Sequence, residues 1–125
     1  MKTLRRNRLL LGWFMAFLVA VLQVTPPAMA ATFFWAPGGD SASSGDWNLG
    51  DLNWGLTVGT GGSAWTNGDI AVFGDSSNPA TLTVSLTQSL TAGGLRFNTS
   101  ENLLEGLDAS KVLTLNGATP TIKIG

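Results

Sequence analysis

With no histidine, no cysteine and no tyrosine among 125 residues, the chemistry open to this chain rests on its eight carboxylates and its five tryptophans. Ser–His and Cys–His nucleophiles are excluded by inventory, and so are the usual zinc ligand sets. Two carboxylates can still serve as acid and base, and Asp46 with Asp51, or Asp69 with Asp75, are the pairs to consider. Their neighbours are Gly, Asn and Ser, the residues that build turns, so turn capping accounts for them more simply. Gly39-Asp40 and Gly45-Asp46 lie in oxygen-rich loops that suit a hard cation. Neither the EF-hand spacing nor the G-G-x-G-x-D nonapeptide of calcium β-rolls accompanies them. The sequence therefore assigns no catalytic residue, no metal ligand and no cofactor, and the expectation is a protein that is not an enzyme.

Trp35, Trp47, Trp54 and Trp65 offer a different chemistry. Indole faces stack on sugar rings, and the nearby Asn and Asp side chains could bond sugar hydroxyls, so these four are the candidate glycan-stacking residues. The plainer role is core packing, because few other large side chains precede Ile70. Asn98-Thr99-Ser100 is a formal glycosylation sequon; it reads here as a turn.

The elements that must position these residues are strands. Large rings spaced by Gly, Asn, Asp and Ser cannot line one face of a helix. TFFW at Thr32–Trp35 reads as a short strand stopped by Pro37-Gly38-Gly39. Asp46-Trp47-Asn48 and Asn53-Trp54 are brief ordered points, and Ile70–Phe73 is the next strand. From Thr81 to Leu86 the even positions are aliphatic and the odd ones hydroxylated, which gives a strand with one buried and one wet face. Leu90 and Ala92, Leu95–Phe97, Val112–Leu115 and Thr121–Ile124 continue the pattern, with Leu82, Val84, Leu86, Leu95, Phe97, Leu113, Leu115, Ile122 and Ile124 as the expected interior. No helix of three turns is expected after residue 30. Strands recurring every ten to eighteen residues or so fit the rungs of a parallel β-helix or solenoid; an antiparallel β-sandwich fits the same spacing.

The first thirty residues stand apart. Lys2, Arg5, Arg6 and Arg8 precede an apolar run from Leu9 to Leu22, then Pro26-Pro27 and the small-x-small site Ala28-Met29-Ala30. These are the marks of a cleavable export signal, with cleavage between Ala30 and Ala31. Fourteen helical residues reach roughly 21 Å, short of a hydrocarbon core of about 30 Å, so no stable membrane span is expected. Removing residues 1–30 takes four of seven positive charges and leaves three against eight negative, a net of −5. An acidic surface without a basic patch argues against nucleic acid and anionic membranes as partners. Without disulfides, stability must come from burial and hydrogen bonding.

The order of the motifs resembles the N-terminal region of bacterial autotransporter-like proteins with autotransporter-associated β-strand repeats. The matching elements are Gly68-Asp69-Ile70-Ala71-Val72-Phe73, the alternating strand Thr81–Leu86, Gly93-Gly94-Leu95-Arg96-Phe97 and Leu113-Thr114-Leu115-Asn116-Gly117. The resemblance implies an all-β chain organised as a signal peptide (1–30), a Trp/Gly-rich N-terminal cap (31–79) and the first strand rungs (80–125). It implies a structural segment of an exported adhesin or passenger, in the periplasm, at the cell surface or outer membrane, or outside the cell. Further repeats are expected beyond Gly125. Its partners are then the export machinery, the remainder of a longer β-helical chain and surface glycans. The alternative function is a free-standing secreted carbohydrate-binding sandwich.

Overall fold

The computed structural model describes residues 28–99 and 101–125; residues 1–27, which hold most of the expected export signal, and Ser100 of the sequon lie outside the described residues. The described chain is all-β. Its strands are β1 (Thr32–Trp35), β2 (Gly45–Trp47), β3 (Trp54–Gly55), β4 (Ile70–Phe73), β5 (Thr83–Leu86), β6 (Leu90–Ala92), β7 (Gly94–Phe97), β8 (Leu103–Gly106), β9 (Leu113–Leu115) and β10 (Ile122–Ile124). A single 3-10 turn, Pro37–Gly39, follows β1. Among the described residues no helix is long and apolar enough to cross a membrane.

The strands fall into three sheets. The first is ordered β10-β7-β4-β1-β3, the second β2-β5-β8 and the third β6-β9. Six of the seven ladders are parallel, and only β1 with β3 runs antiparallel. The first sheet is therefore mixed. The antiparallel sandwich held as the alternative does not fit, because its sequence-adjacent strands would pair as hairpins. Here β4, β5 and β6 enter the first, second and third sheets in turn, and β7, β8 and β9 enter them again in the same order. Each lies beside its predecessor: Ile70 faces Gly94, Thr83 faces Leu103 and Leu90 faces Leu113.

In-register parallel pairing stacks like on like. Phe73, Phe97 and Ile124 share a register position across β4, β7 and β10, and Ala71, Leu95 and Ile122 share the one two residues before. On β5, Leu82 just before the strand, Val84 and Leu86 are at most 5% exposed while Thr83 and Ser85 are half-buried, as the alternation requires. One continuous apolar cluster joins Trp35, Trp47, Trp54, Trp65 and Phe73 to Leu82, Val84, Leu86, Leu90 and Leu95. Phe97, Leu113 and Leu115 are only partly buried against it.

Ile122 and Ile124 depart from expectation. They occupy inward register positions, but they are 58% and 81% exposed. The reason is geometric: β10 is an edge strand, and no layer lies beyond it. Three strands had no clear sequence signal. β2 and β3 are two or three residues long with Gly as a member, and β8 (LLEG) presents an exposed Leu103 at 51%. Their pairing partners order them; local propensity does not.

Candidate functional site

The four tryptophans converge. Trp54 lies at centroid distances of 5.1 Å from Trp35, 5.1 Å from Trp47, 4.7 Å from Trp65 and 5.5 Å from Phe73. Trp47 and Trp65 meet edge to face at 4.9 Å, an orientation that places the positive ring edge on a negative ring face. Phe33 reaches Trp65 at 6.4 Å, and Phe73 passes the stack on to Phe97 at 5.2 Å. Trp35, Trp47, Trp54 and Trp65 are at most 3% exposed. Rings so enclosed present no face to a sugar, and the glycan-stacking assignment fails for all four. They are an aromatic plug.

Local sequence explains how the plug is assembled. Trp35 ends β1, Trp47 ends β2 and Trp54 begins β3, so three strands from two sheets each deliver one indole inward. Trp35 pairs directly with Trp54 across the antiparallel ladder. The neighbouring position needs a glycine: a Cβ on Gly55 would collide with the Thr60 carbonyl. The indole N–H of Trp35 donates to the Ser43 carbonyl at 2.8 Å, and that of Trp65 to the Thr91 carbonyl at 3.2 Å. The Nε1 atoms of Trp47 and Trp54 are buried without a partner. Each costs about 1–3 kcal/mol, against roughly 25 cal/mol for every Å² of ring taken from water.

Around the plug, side chains cover the strand edges at the same end. Thr91 of β6 receives hydrogen bonds on its carbonyl from Gly68 N at 3.0 Å and from Trp65, and its own N–H donates to Asn67 Oδ1 at 2.8 Å. Asn53 Nδ2 donates to the Asp46 carbonyl of β2 at 2.9 Å. Ser44 Oγ accepts from Thr83 N at 2.9 Å. The backbone of 52–54 pairs with 62–63, which closes the outer side of β3. An unpaired edge recruits other chains; here Asn53, Asn67 and the 62–68 segment occupy it. Sequence reasoning missed both asparagines.

At the opposite end the edges carry no such side-chain cover among the described residues. β8, β9 and β10 are the outermost members of their three sheets, and Leu103, Ile122 and Ile124 lie exposed there.

Of the acid–base candidates, Asp51 and Asp75 are engaged in local turns, as are Asp40 and Asp108, whereas Asp69 bonds a distant backbone nitrogen. Asp40 accepts from Ala42 N at 2.9 Å and from the Ser43 hydroxyl at 2.9 Å, which hold its carboxyl below the usual value in that order of strength. Asp75 is lowered chiefly by the Ser77 hydroxyl and then by Ser77 N. Asp108 is lowered by the Ser110 hydroxyl and N–H, with a smaller contribution from Lys111, 3.4 Å away. Asp51 accepts from Asn48 Nδ2 at 2.7 Å, and Asp69 from Ala31 N at 2.8 Å. Among the described residues no three carboxylates gather where a cation could be held. Asn98 of the sequon is half-buried; its N–H bonds the Phe73 carbonyl at 2.8 Å. Ala30 and Ala31, which flank the expected cleavage point, are exposed. No family model, no curated protein and no solved structure matches this chain.

Proposed function

We propose that residues 31–125 form the N-terminal cap and first rungs of a parallel β-helix, a non-enzymatic structural segment of an exported, surface-displayed or secreted adhesin-like protein. The observation that carries this reading is the asymmetry of the stack. One end is filled by four buried tryptophans and edged by asparagine side chains; the other offers three parallel strand edges and unburied aliphatic side chains. A cap covers open backbone at one end and templates the next rung at the other. The parallel ladders, returning to the three sheets in order, support the helical architecture. The basic, apolar and small-x-small order of the first thirty residues supports export.

Size and location of the native product test the reading. An antibody against residues 31–125 is used to blot cytoplasmic, periplasmic, outer-membrane and medium fractions. The expected product is several times larger than the 13.0 kDa chain and lies at the surface or in the medium. A product no larger than the chain sinks the cap role, and one confined to the cytoplasm sinks export.

A further inference from the structure

Two bonds tie the expected cleavage site to the fold. The backbone nitrogen of Ala31 donates to Asp69 Oδ1 at 2.8 Å, and the Ala31 carbonyl accepts from Ile70 N at 2.8 Å. Residue 31 is thus held on both its polar groups by two consecutive residues at the start of β4. The grip sits at the mouth of the β1–β4 ladder, whose first register pair is Thr32 with Ile70. Residues 28–31 lie outside any strand, and Ala30 and Ala31 are exposed.

We propose that Asp69 is the receptor for the new N-terminus made when the chain is cut after Ala30, an inference that rests on the exported, signal-cleaved reading above. Hydrolysis adds one water across the Ala30–Ala31 amide. Ala30 leaves as a carboxylate, and the Ala31 nitrogen becomes an amine that takes up a proton at neutral pH. That nitrogen is already in place. An amide–carboxylate hydrogen bond, in which only the acceptor is charged, becomes an ammonium–carboxylate pair with charge on both partners and three donors instead of one.

The consequence is local and specific. A freshly cut terminus ordinarily frays, and fraying here would loosen β1, which lies between β4 and β3 and carries Trp35 into the plug. Asp69 pins it. Processing therefore tightens the closed end of the stack, and the uncut chain holds it by the weaker bond, in which only the carboxylate is charged. The Asp of the Gly68-Asp69-Ile70-Ala71-Val72-Phe73 stretch acquires a role distinct from the turn-capping of Asp40, Asp75 and Asp108.

The test uses the full chain, exported by a bacterial host and recovered as the processed protein. Mass spectrometry gives its first residue. Acetylation of the α-amine by an N-hydroxysuccinimide ester at pH 7 is then timed, with a short peptide of sequence Ala-Thr-Phe-Phe as reference. A neighbouring carboxylate raises an amine's pKa by about one unit or more. The expected result is a chain beginning at Ala31 whose α-amine reacts about tenfold more slowly than the peptide's, with Asp69→Asn restoring the fast rate. Reaction at the peptide's rate in a chain beginning at Ala31 overturns the pairing and leaves export intact. A chain cut at another bond overturns the pairing and leaves export intact, and one that still begins at Met1 and stays in the cytoplasm overturns both. The comparison of the unsubstituted protein with the peptide stands even where the Asp69→Asn protein does not fold.

Discussion

Among single side chains Trp54 has four aromatic neighbours in the plug: Trp35, Trp47, Trp65 and Phe73 all lie within 5.5 Å of its ring centre. Truncation leaves a cavity lined by stiff rings that cannot collapse into it, so the cost belongs at the upper end of large-to-small substitutions. Trp54→Ala is expected to destabilise the fold by about 3–5 kcal/mol, read as a lower midpoint in urea, and an unchanged midpoint would remove Trp54 from the plug. The exposed turn aspartates act in the opposite regime, small and solvent-screened. Asp40, Asp75 and Asp108 are all held below 3.8 by hydrogen bonds from Ala42 and Ser43, from Ser77, and from Ser110. A carboxylate depressed in the folded state stabilises it above the unfolded value and loses that contribution as pH falls through the lower, folded one. The melting temperature is expected to be level from pH 7 to about pH 5 and to decline below about pH 4. A rise on acidification would contradict the assignment.

At the scale of the element, strands with periodic side chains were legible and strands ordered by their partners were not. TFFW and IAVF announce themselves as short runs of apolar, β-branched and aromatic residues bounded by turn residues, and Leu82–Val84–Leu86 through a two-residue period. β2, β3 and β8 have two to four residues and contain Gly; what makes them strands is a neighbour supplied from far along the chain. The tryptophans' burial followed from the scarcity of other large residues, whereas the edge-covering asparagines did not, because hydrogen bonds from a side chain to a distant backbone leave no local pattern. Ile122 and Ile124 illustrate the reverse case, in which the correct period places a residue inward but an edge position leaves it wet. β6 gives the element-scale prediction. Asn67→Ala strips the acceptor from Thr91 N–H and is expected to cost about 1 kcal/mol, seen with faster hydrogen exchange at Thr91 than at its strand neighbours. Unchanged exchange there would show that the edge is covered by something other than Asn67.

For the whole molecule, the reading of all-β architecture from turn residues and alternation survives, while the choice between parallel and antiparallel pairing needed the ladders themselves. Sequence spacing alone cannot make that choice, since a hairpin and a circuit both bring strands back after a loop. The ladders also differ in reach. β1 and β2 meet partners nearly forty residues on, Thr32 with Ile70 and Gly45 with Val84, whereas β5 and β6 meet theirs after about half that distance, Thr83 with Leu103 and Leu90 with Leu113. The entropy of closing a loop grows with its length, and the wide closures are the ones that also gather the four indoles. Folding should accordingly run in two regimes, a slow nucleation that bridges the long span and assembles the aromatic end, then quicker pairing of β8, β9 and β10 onto strands already in place. A chain that emerges with the plug first has its nucleus ready before β8, β9 and β10 arrive, so the direction of synthesis and the order of strand pairing coincide.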